Sequence, residues 1–251
     1  LFGYDSQGLA WHSSPVCIQK YPFSDDHSLI YSFQKLNIPF CQGKNILFTL
    51  LSSKKSRTIE IHFMLGGNAV KIIVLNGSPK GEYSITLQYV HFLQKKFPQH
   101  EFKTINVSQK IRKIENDKET FMKIIEEVKS SDGVLWCFGL WVLVVAAQYM
   151  RFIELISEKG VEDAFKNKYT AALSTSIHFY DHTAHNYIRA VCEDLGMKYV
   201  DGLSFDLLDL MKKREREILT VFAENLFEAI REKTVTSRLF RPISFSDFIY
   251  Q

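Results

Sequence analysis

The chain has 251 residues, enough for one large domain or for an ordinary domain with an appendage. Its 46% hydrophobic and 24% charged residues are the composition of a folded globular chain and exclude a disordered one. With 31 basic against 28 acidic residues, the formal charge of +3 is too small to mark a nucleic-acid-binding surface, and no such partner is expected.

Cys17, Cys41, Cys137 and Cys192 are far apart and form no C-x-x-C pair, so no zinc or iron–sulfur site can be read and reduced thiols are expected. No apolar run reaches the roughly 18 residues of a membrane span. The stretch from Gly133 to Ala147 is the most apolar, but it is short. Leu1-Phe2-Gly3-Tyr4-Asp5 lacks the basic flank and apolar centre of a signal peptide, and the expected location is cytoplasmic, with no membrane partner.

Residues 1 to about 63 scatter aromatic residues, Ser, Pro and His without a sustained period. Ile46–Leu51 alone suggests a strand there, and residues 1–69 are treated as an N-terminal extension without assigned structure. From Val70 the pattern becomes regular. Short β-branched runs at Lys71–Asn76, Phe102–Val107, Gly133–Phe138, Thr170–Thr175 and Lys198–Phe205 are nearly continuous in apolar character, as strands covered on both faces are. Amphipathic segments at Ile85–Lys96, Lys118–Ser130, Ala146–Glu158, Ala184–Leu195 and Leu208–Glu232 read as the helices between and after them, with Gly160 and Gly196 just past two helix ends. Five such units over residues 70–233 predict an α/β doubly wound five-stranded parallel sheet in the order 2-1-3-4-5, whose ligand site lies at the carboxyl ends of the strands after strands one, three and four. Residues 234–251 carry Pro242, Phe240, Phe245, Phe248 and Tyr250 without a helical period and read as an arm or linker that packs on its own domain or on a partner.

The first strand runs into Gly77-Ser78-Pro79-Lys80-Gly81-Glu82-Tyr83-Ser84-Ile85-Thr86. Gly77 permits a tight turn, Ser78, Ser84 and Thr86 offer hydroxyl donors, Lys80 adds positive charge, and a helix begins at Ser84-Ile85-Thr86, which together suit a phosphate monoester. The loop lacks the Gly-Lys-Ser/Thr ending of a Walker loop and is not Gly-x-Gly-x-x-Gly, so nucleoside triphosphates and dinucleotides rank lower as its ligand. Three histidines and an aspartate, His178, Asp181, His182 and His185, follow the fourth strand, but no Glu or Cys completes a metal motif, and no metal is expected.

In the spacing of Gly77-Ser78-Pro79-Lys80 and Ser84-Ile85-Thr86, the chain resembles the flavodoxin-like NAD(P)H-dependent FMN reductases, including the flavodoxin domains of iron–sulfur flavoproteins, over roughly residues 70 to 233. The resemblance implies a flavodoxin-like fold, FMN as cofactor and NAD(P)H as electron donor. It departs at Ile85, where the family has Asn, and at Gly139 and Ala146, where Pro is common. By the same resemblance the loop Phe138-Gly139-Leu140-Trp141-Val142 lies along the isoalloxazine, with Trp141 either stacking on it or packing in a core or interface. Thr175 and Ser176 with His178 and His182 would form a polar edge beside the flavin, the two imidazoles either donating to its pyrimidine ring or substrate or serving the structure alone. The implied function is hydride transfer from NAD(P)H to flavin and onward to a quinone, a nitro or azo compound or a protein acceptor, by a homodimer. The alternative is an electron-transfer module without nicotinamide activity, which the slightly basic charge disfavours, because carriers of that kind are strongly acidic.

Overall fold

The computed structural model describes residues 47–49, 62–64, 69–140, 143–178 and 180–242. The chain divides into two units, Leu1–Leu65 and Gly66–Gln251. In the first, β1 (Leu47–Thr49) and β2 (His62–Met64) pair antiparallel, with Leu47 opposite Met64. β1 falls inside the stretch that suggested a strand.

The second unit is built on β3 (Lys71–Asn76), β4 (Glu101–Asn106), β5 (Gly133–Gly139), β6 (Tyr169–Ser176) and β7 (Lys198–Asp206), all parallel, in the order β4-β3-β5-β6-β7. This is the expected order, with each strand within one residue of its predicted ends. The central strands are buried on both faces, and successive residues alternate between two cores. Ile72, Val74, Leu135, Cys137, Ala171 and Leu173 face one side, while Ile73, Leu75, Val134, Trp136, Phe138 and Ala172 face the other.

The first core is closed by α1 (Ile85–Lys96) through Leu87, Val90 and Leu93 and by the C-terminal helix through Leu219, Phe222 and Leu226. The second is closed by α2 (Ile111–Asn116), α3 (Lys118–Lys129), α4 (Ala147–Glu158) and α5 (Asp181–Asp194). Asp117 caps α3, its side chain accepting from the Glu119 amide at 3.0 Å. Gly160 and Gly196 sit past α4 and α5 with φ of +62° and +69°, as helix-ending glycines do.

Three differences from the sequence expectation bear on the site. α2, a six-residue helix, was not expected. α5 begins at Asp181, three residues early, so Asp181 and Thr183 lie inside the helix and the cap is Tyr180, in the left-handed region with φ +57°. Leu208–Lys212 is not α-helical: a short 3₁₀ turn at Asp209–Met211 precedes α6 (Lys213–Glu232). Beyond α6 the tail turns back onto α5. Glu193, nearly buried, accepts from the Leu239 and Phe240 amides, and Arg238 pairs with Asp194. Phe245, Phe248 and Tyr250 lie outside the described residues, as does Trp141 with Val142.

Candidate functional site

Four loops meet at the carboxyl edge of the sheet: residues 77–84 after β3, 140 and 143–146 after β5, 177–178 and 180 after β6, and 207–212 after β7. The first is organised by Asn76, the last residue of β3. Its Nδ2 donates to the Gly81 carbonyl at 3.1 Å and to Asn106 Oδ1 at 2.7 Å, and its Oδ1 accepts from the Ser78 amide at 3.1 Å. Asn106 in turn donates to Glu82 at 2.5 Å, turning that carboxylate towards β4. An Asn at a strand end before Gly is a turn signal in its own right, and it was readable beside the motif.

Glycine is required at two loop positions. At Gly77 a Cβ would overlap the ring of Tyr149, which lies beneath the loop and donates its hydroxyl to the Leu75 carbonyl at 2.7 Å. The reason is thus close approach of a ring and not a left-handed turn, because Gly77 is absent from the positive-φ glycines. Gly81 does have φ +57°, and a Cβ there would also meet the Gln109 side chain.

Around this loop the hydroxyls fall into two groups. Ser78 Oγ accepts from the Lys80 amide at 3.3 Å, which leaves its proton available, and the Ser84 side chain makes no cap bond to the first turn of α1. Lys80 is exposed and, among the described residues, enters no ion pair. The amides of the first turn of a helix have no partner within it, so this end of α1 can receive an anion. Thr86, by contrast, is fully buried. Its hydroxyl donates to the Phe138 carbonyl at 3.2 Å and, having one proton, accepts from Thr175 Oγ at 2.7 Å. That pair ties the first, third and fourth loops together. Ile85 is partly exposed at the same helix start.

Phe138 is buried, while Gly139 and Leu140 are half-buried, and the Leu140 amide donates to the Thr175 carbonyl at 3.0 Å. A Cβ at Gly139 would meet nothing, and Ala146 has φ −58° before α4. In the fourth loop, Ser176 Oγ donates to Asp181 Oδ1 at 2.7 Å and accepts from the His178 amide at 2.8 Å, so it too faces inward. His178 has φ +58° and an exposed ring whose Nδ1 is 3.0 Å from Asp181 Oδ2. His182 is exposed in the first turn of α5, its ring 5.8 Å from that of Tyr180.

Asp181 organises this corner. Burial alone would push its carboxyl up, but hydrogen bonds from Ser204 and Ser176 and the His178 imidazole outweigh that and hold it below the ordinary carboxylate range. Ser204 donates to Asp181 at 2.6 Å and Ser174 donates to Ser204 at 2.9 Å. Ser174 has no second proton, so its 2.8 Å contact with His185 Nε2 requires that nitrogen to carry the hydrogen. His185 Nδ1 is then a bare acceptor, buried without a partner. Burial pushes His185 down to about 4, so it is neutral near pH 7, Asp181 opposing that shift. Ser174 and Ser204 were missed by sequence reasoning because no spacing links β6 to β7.

Among the described residues no group of three or more His, Cys, Asp and Glu is placed to hold a metal ion. Cys137 and Cys192 are buried free thiols, and burial pushes both up, away from the thiolate form. No helix among the described residues is long and apolar enough to cross a membrane. The loop edge instead carries exposed apolar side chains: Tyr83, Leu143, Ile177, Leu208 and Met211.

A doubly wound sheet of this order, with an anion-receiving first loop and an apolar edge beside it, defines a flavodoxin-like domain. The family model for NADPH-dependent FMN reductases matches residues 70–207, more than half of the chain, and the chain belongs to that family. FMN is therefore its cofactor, with NAD(P)H as the family's electron donor. Among solved structures, an NADH:FMN oxidoreductase, EmoB, in its apo form is similar at 14% identity, over 67% of this chain and 92% of that one, with a TM-score of 0.52. FerB, a flavoenzyme NAD(P)H:(acceptor) oxidoreductase from Paracoccus denitrificans, is 14% identical over 64% of this chain and 98% of its own, with a TM-score of 0.50. These two likenesses speak to the fold. A comparison with curated proteins gives no match.

Proposed function

We propose that the domain is an FMN-dependent oxidoreductase that takes hydride from NAD(P)H and passes electrons to a quinone, a nitro or azo compound or a protein acceptor. The observation that carries this reading is the first loop: a helix start without a side-chain cap, flanked by Ser78, Ser84 and Lys80 and lying flat on the Tyr149 ring through Gly77. Those residues fit a phosphate monoester in charge, in donors and in room for close backbone approach. Bound FMN supplies the redox chemistry, as a flavin does in any such protein.

The chain's own side chains bind and orient. Ser78 and Ser84 donate to the phosphate while Lys80 offsets its charge. Thr86, Thr175 and Ser176, grouped with them on sequence grounds, work one step back by fixing the loops that Phe138, Gly139, Leu140, Trp141 and Val142 continue. Asp181 holds His178 in its left-handed conformation at the rim, where the imidazole can donate to flavin or substrate, and His182 stands beside it in the first turn of α5. Two copies would shield the apolar edge from water, which favours a homodimer.

The test is spectroscopic. The full chain mixed with FMN should give the shifted absorption of a bound flavin, and NADH or NADPH should bleach it within seconds in the absence of oxygen. A bound flavin that stays oxidised for minutes with both nucleotides would make the protein an electron-transfer module instead.

A further inference from the structure

A chain of hydrogen bonds runs inward from the rim of the fourth loop, and all of its protons point one way. Asp181 accepts from Ser176 on Oδ1 at 2.7 Å and from Ser204 on Oδ2 at 2.6 Å. Ser204 accepts from Ser174 at 2.9 Å, and Ser174 accepts from His185 Nε2 at 2.8 Å. The chain thus joins β6, β7 and α5 and ends at His185, whose Nδ1 is buried without a partner. Its inner end has no outlet for a proton. What the chain does is hold one carboxylate in place as an anion, every donor being turned towards it.

The outer end is His178. An ionised carboxylate can only accept, so the 3.0 Å contact of His178 Nδ1 with Asp181 Oδ2 puts a hydrogen on Nδ1. Ser176 accepts from the His178 amide at 2.8 Å, so the same carboxylate orients both the ring and its backbone. Nε2 is the nitrogen left over. It lies 3.9 Å from Asp209 Oδ2 in the turn after β7, and Lys212 holds Asp209 at 2.7 Å. The titratable groups about the ring are therefore Asp181 and His182 in the first turn of α5, with Asp209 and Lys212 across from them. An imidazolium here meets a carboxylate on each nitrogen side. The side chain is 52% exposed, which gives it water from which to recover a proton.

We propose that His178 is the general acid of the second half-reaction, its Nε2 giving a proton to an oxygen or nitrogen of the electron acceptor, and that Asp181, backed by Ser204, Ser174 and His185, is its positioning residue. The inference rests on the oxidoreductase reading above and narrows its acceptors to small molecules that take up protons. Reduction of a quinone to a hydroquinone consumes two electrons and two protons. Hydride supplied through FMN brings both electrons and one proton. The second comes as the Nε2–H bond of His178 breaks and an O–H bond forms on the quinone, and the neutral imidazole, still carrying hydrogen on Nδ1, is reprotonated by water. Nitro and azo groups have the same need. An acceptor that takes single electrons and no proton gains nothing from this arrangement.

Two measurements on the full chain test the assignment. Imidazole nitrogen NMR needs no turnover: at a pH where the ring is neutral, His178 should carry its hydrogen on Nδ1, the tautomer that free histidine disfavours, and Asp181→Asn should weaken that preference. Hydrogen on Nε2 instead overturns the positioning. For the acid role, the FMN-loaded chain is reduced beforehand with dithionite and mixed in stopped flow with menadione, or with ferricyanide, which takes one electron and no proton. His178→Asn, a residue type that tolerates the φ of +58° at this position, should lower the ratio of menadione rate to ferricyanide rate about 100-fold. The menadione rate of the unaltered chain should also fall as pH rises through the range in which an imidazolium loses its proton, and the variant should lack that limb. A ratio unchanged within about twofold overturns the acid role. If the ratio drops as expected while neither NADH nor NADPH reduces the flavin, the nicotinamide part of the oxidoreductase reading falls and the role of His178 stands.

Discussion

Ser78 and Thr86 belong to one motif, but the direction of their protons separates them. Ser78 has a proton to donate, so Ser78→Ala should cost FMN roughly 1–3 kcal/mol of affinity and leave riboflavin, which has no phosphate, nearly unaffected in a fluorescence titration. Thr86 donates inward to Phe138 and accepts from Thr175, so Thr86→Val should lower Tm and weaken both ligands together. The spacing of hydroxyls along a sequence does not reveal which way each proton points, and for that reason Thr86, Thr175 and Ser176 read as ligands beside Ser78. His185 gives a second residue-level test. It is held at about 4 against an ordinary 6.5, so between those values the unfolded chain binds a proton that the folded one refuses. Stability must then fall as pH drops from about 6.5 to about 4, by an amount on the order of 1–3 kcal/mol. Asp181 is shifted in the same direction, below the ordinary carboxylate value of 3.8, so the stability it contributes is lost only as pH falls beneath that value, outside the His185 window. His185→Gln keeps a donor towards Ser174 and cannot titrate. Urea melts across the window should show a shallower slope in this variant, the remainder coming from His100, which burial and Arg231 also hold down. An unchanged slope would assign the pH dependence to other groups.

At the scale of elements, the strands were legible because each core strand alternates between two apolar faces, and a run such as Lys71–Asn76 has few other readings. Boundaries failed where a backbone conformation, and not an apolar period, sets the end. Tyr180 starts α5 from the left-handed region without a side-chain cap bond, and nothing in Tyr-Asp-His-Thr announces that. α2 is too short for a period to show. In the third loop the departures from the family's prolines are testable: a Cβ at Gly139 would meet nothing, and Ala146 has φ −58°. Proline at a compatible φ contributes about 0.4–1 kcal/mol per site by narrowing the unbound ensemble. Gly139→Pro with Ala146→Pro should therefore bind FMN more tightly, chiefly through slower dissociation. Affinity that stays the same or drops would mean that the loop is already ordered without FMN.

For the whole molecule, the sequence specified the parallel order of the sheet and the edge on which the loops meet, because βαβ crossovers leave few alternatives. What covers that edge was not legible, since exposed apolar residues come from four separate loops and share no period: Tyr83 after β3, Leu143 and Val144 after β5, Ile177 after β6, and Leu207, Leu208 and Met211 after β7. Several large apolar side chains exposed on the loops of one sheet edge favour association, whereas single exposed residues would need no account. Leu208 and Met211 lie beyond the edge strand β7, away from the phosphate loop beside β3, so their burial by a second copy need not occlude the flavin phosphate. A charge at the centre of such an interface has to be desolvated without a partner, a large penalty. Leu208→Glu with Met211→Glu should thus convert a dimer into a monomer in sedimentation velocity at micromolar protein, with the Ser78-dependent affinity for FMN intact. If the unaltered chain sediments as a monomer, the homodimer is wrong and the patch is left to an electron acceptor. If the double variant stays dimeric, the interface lies elsewhere on the chain.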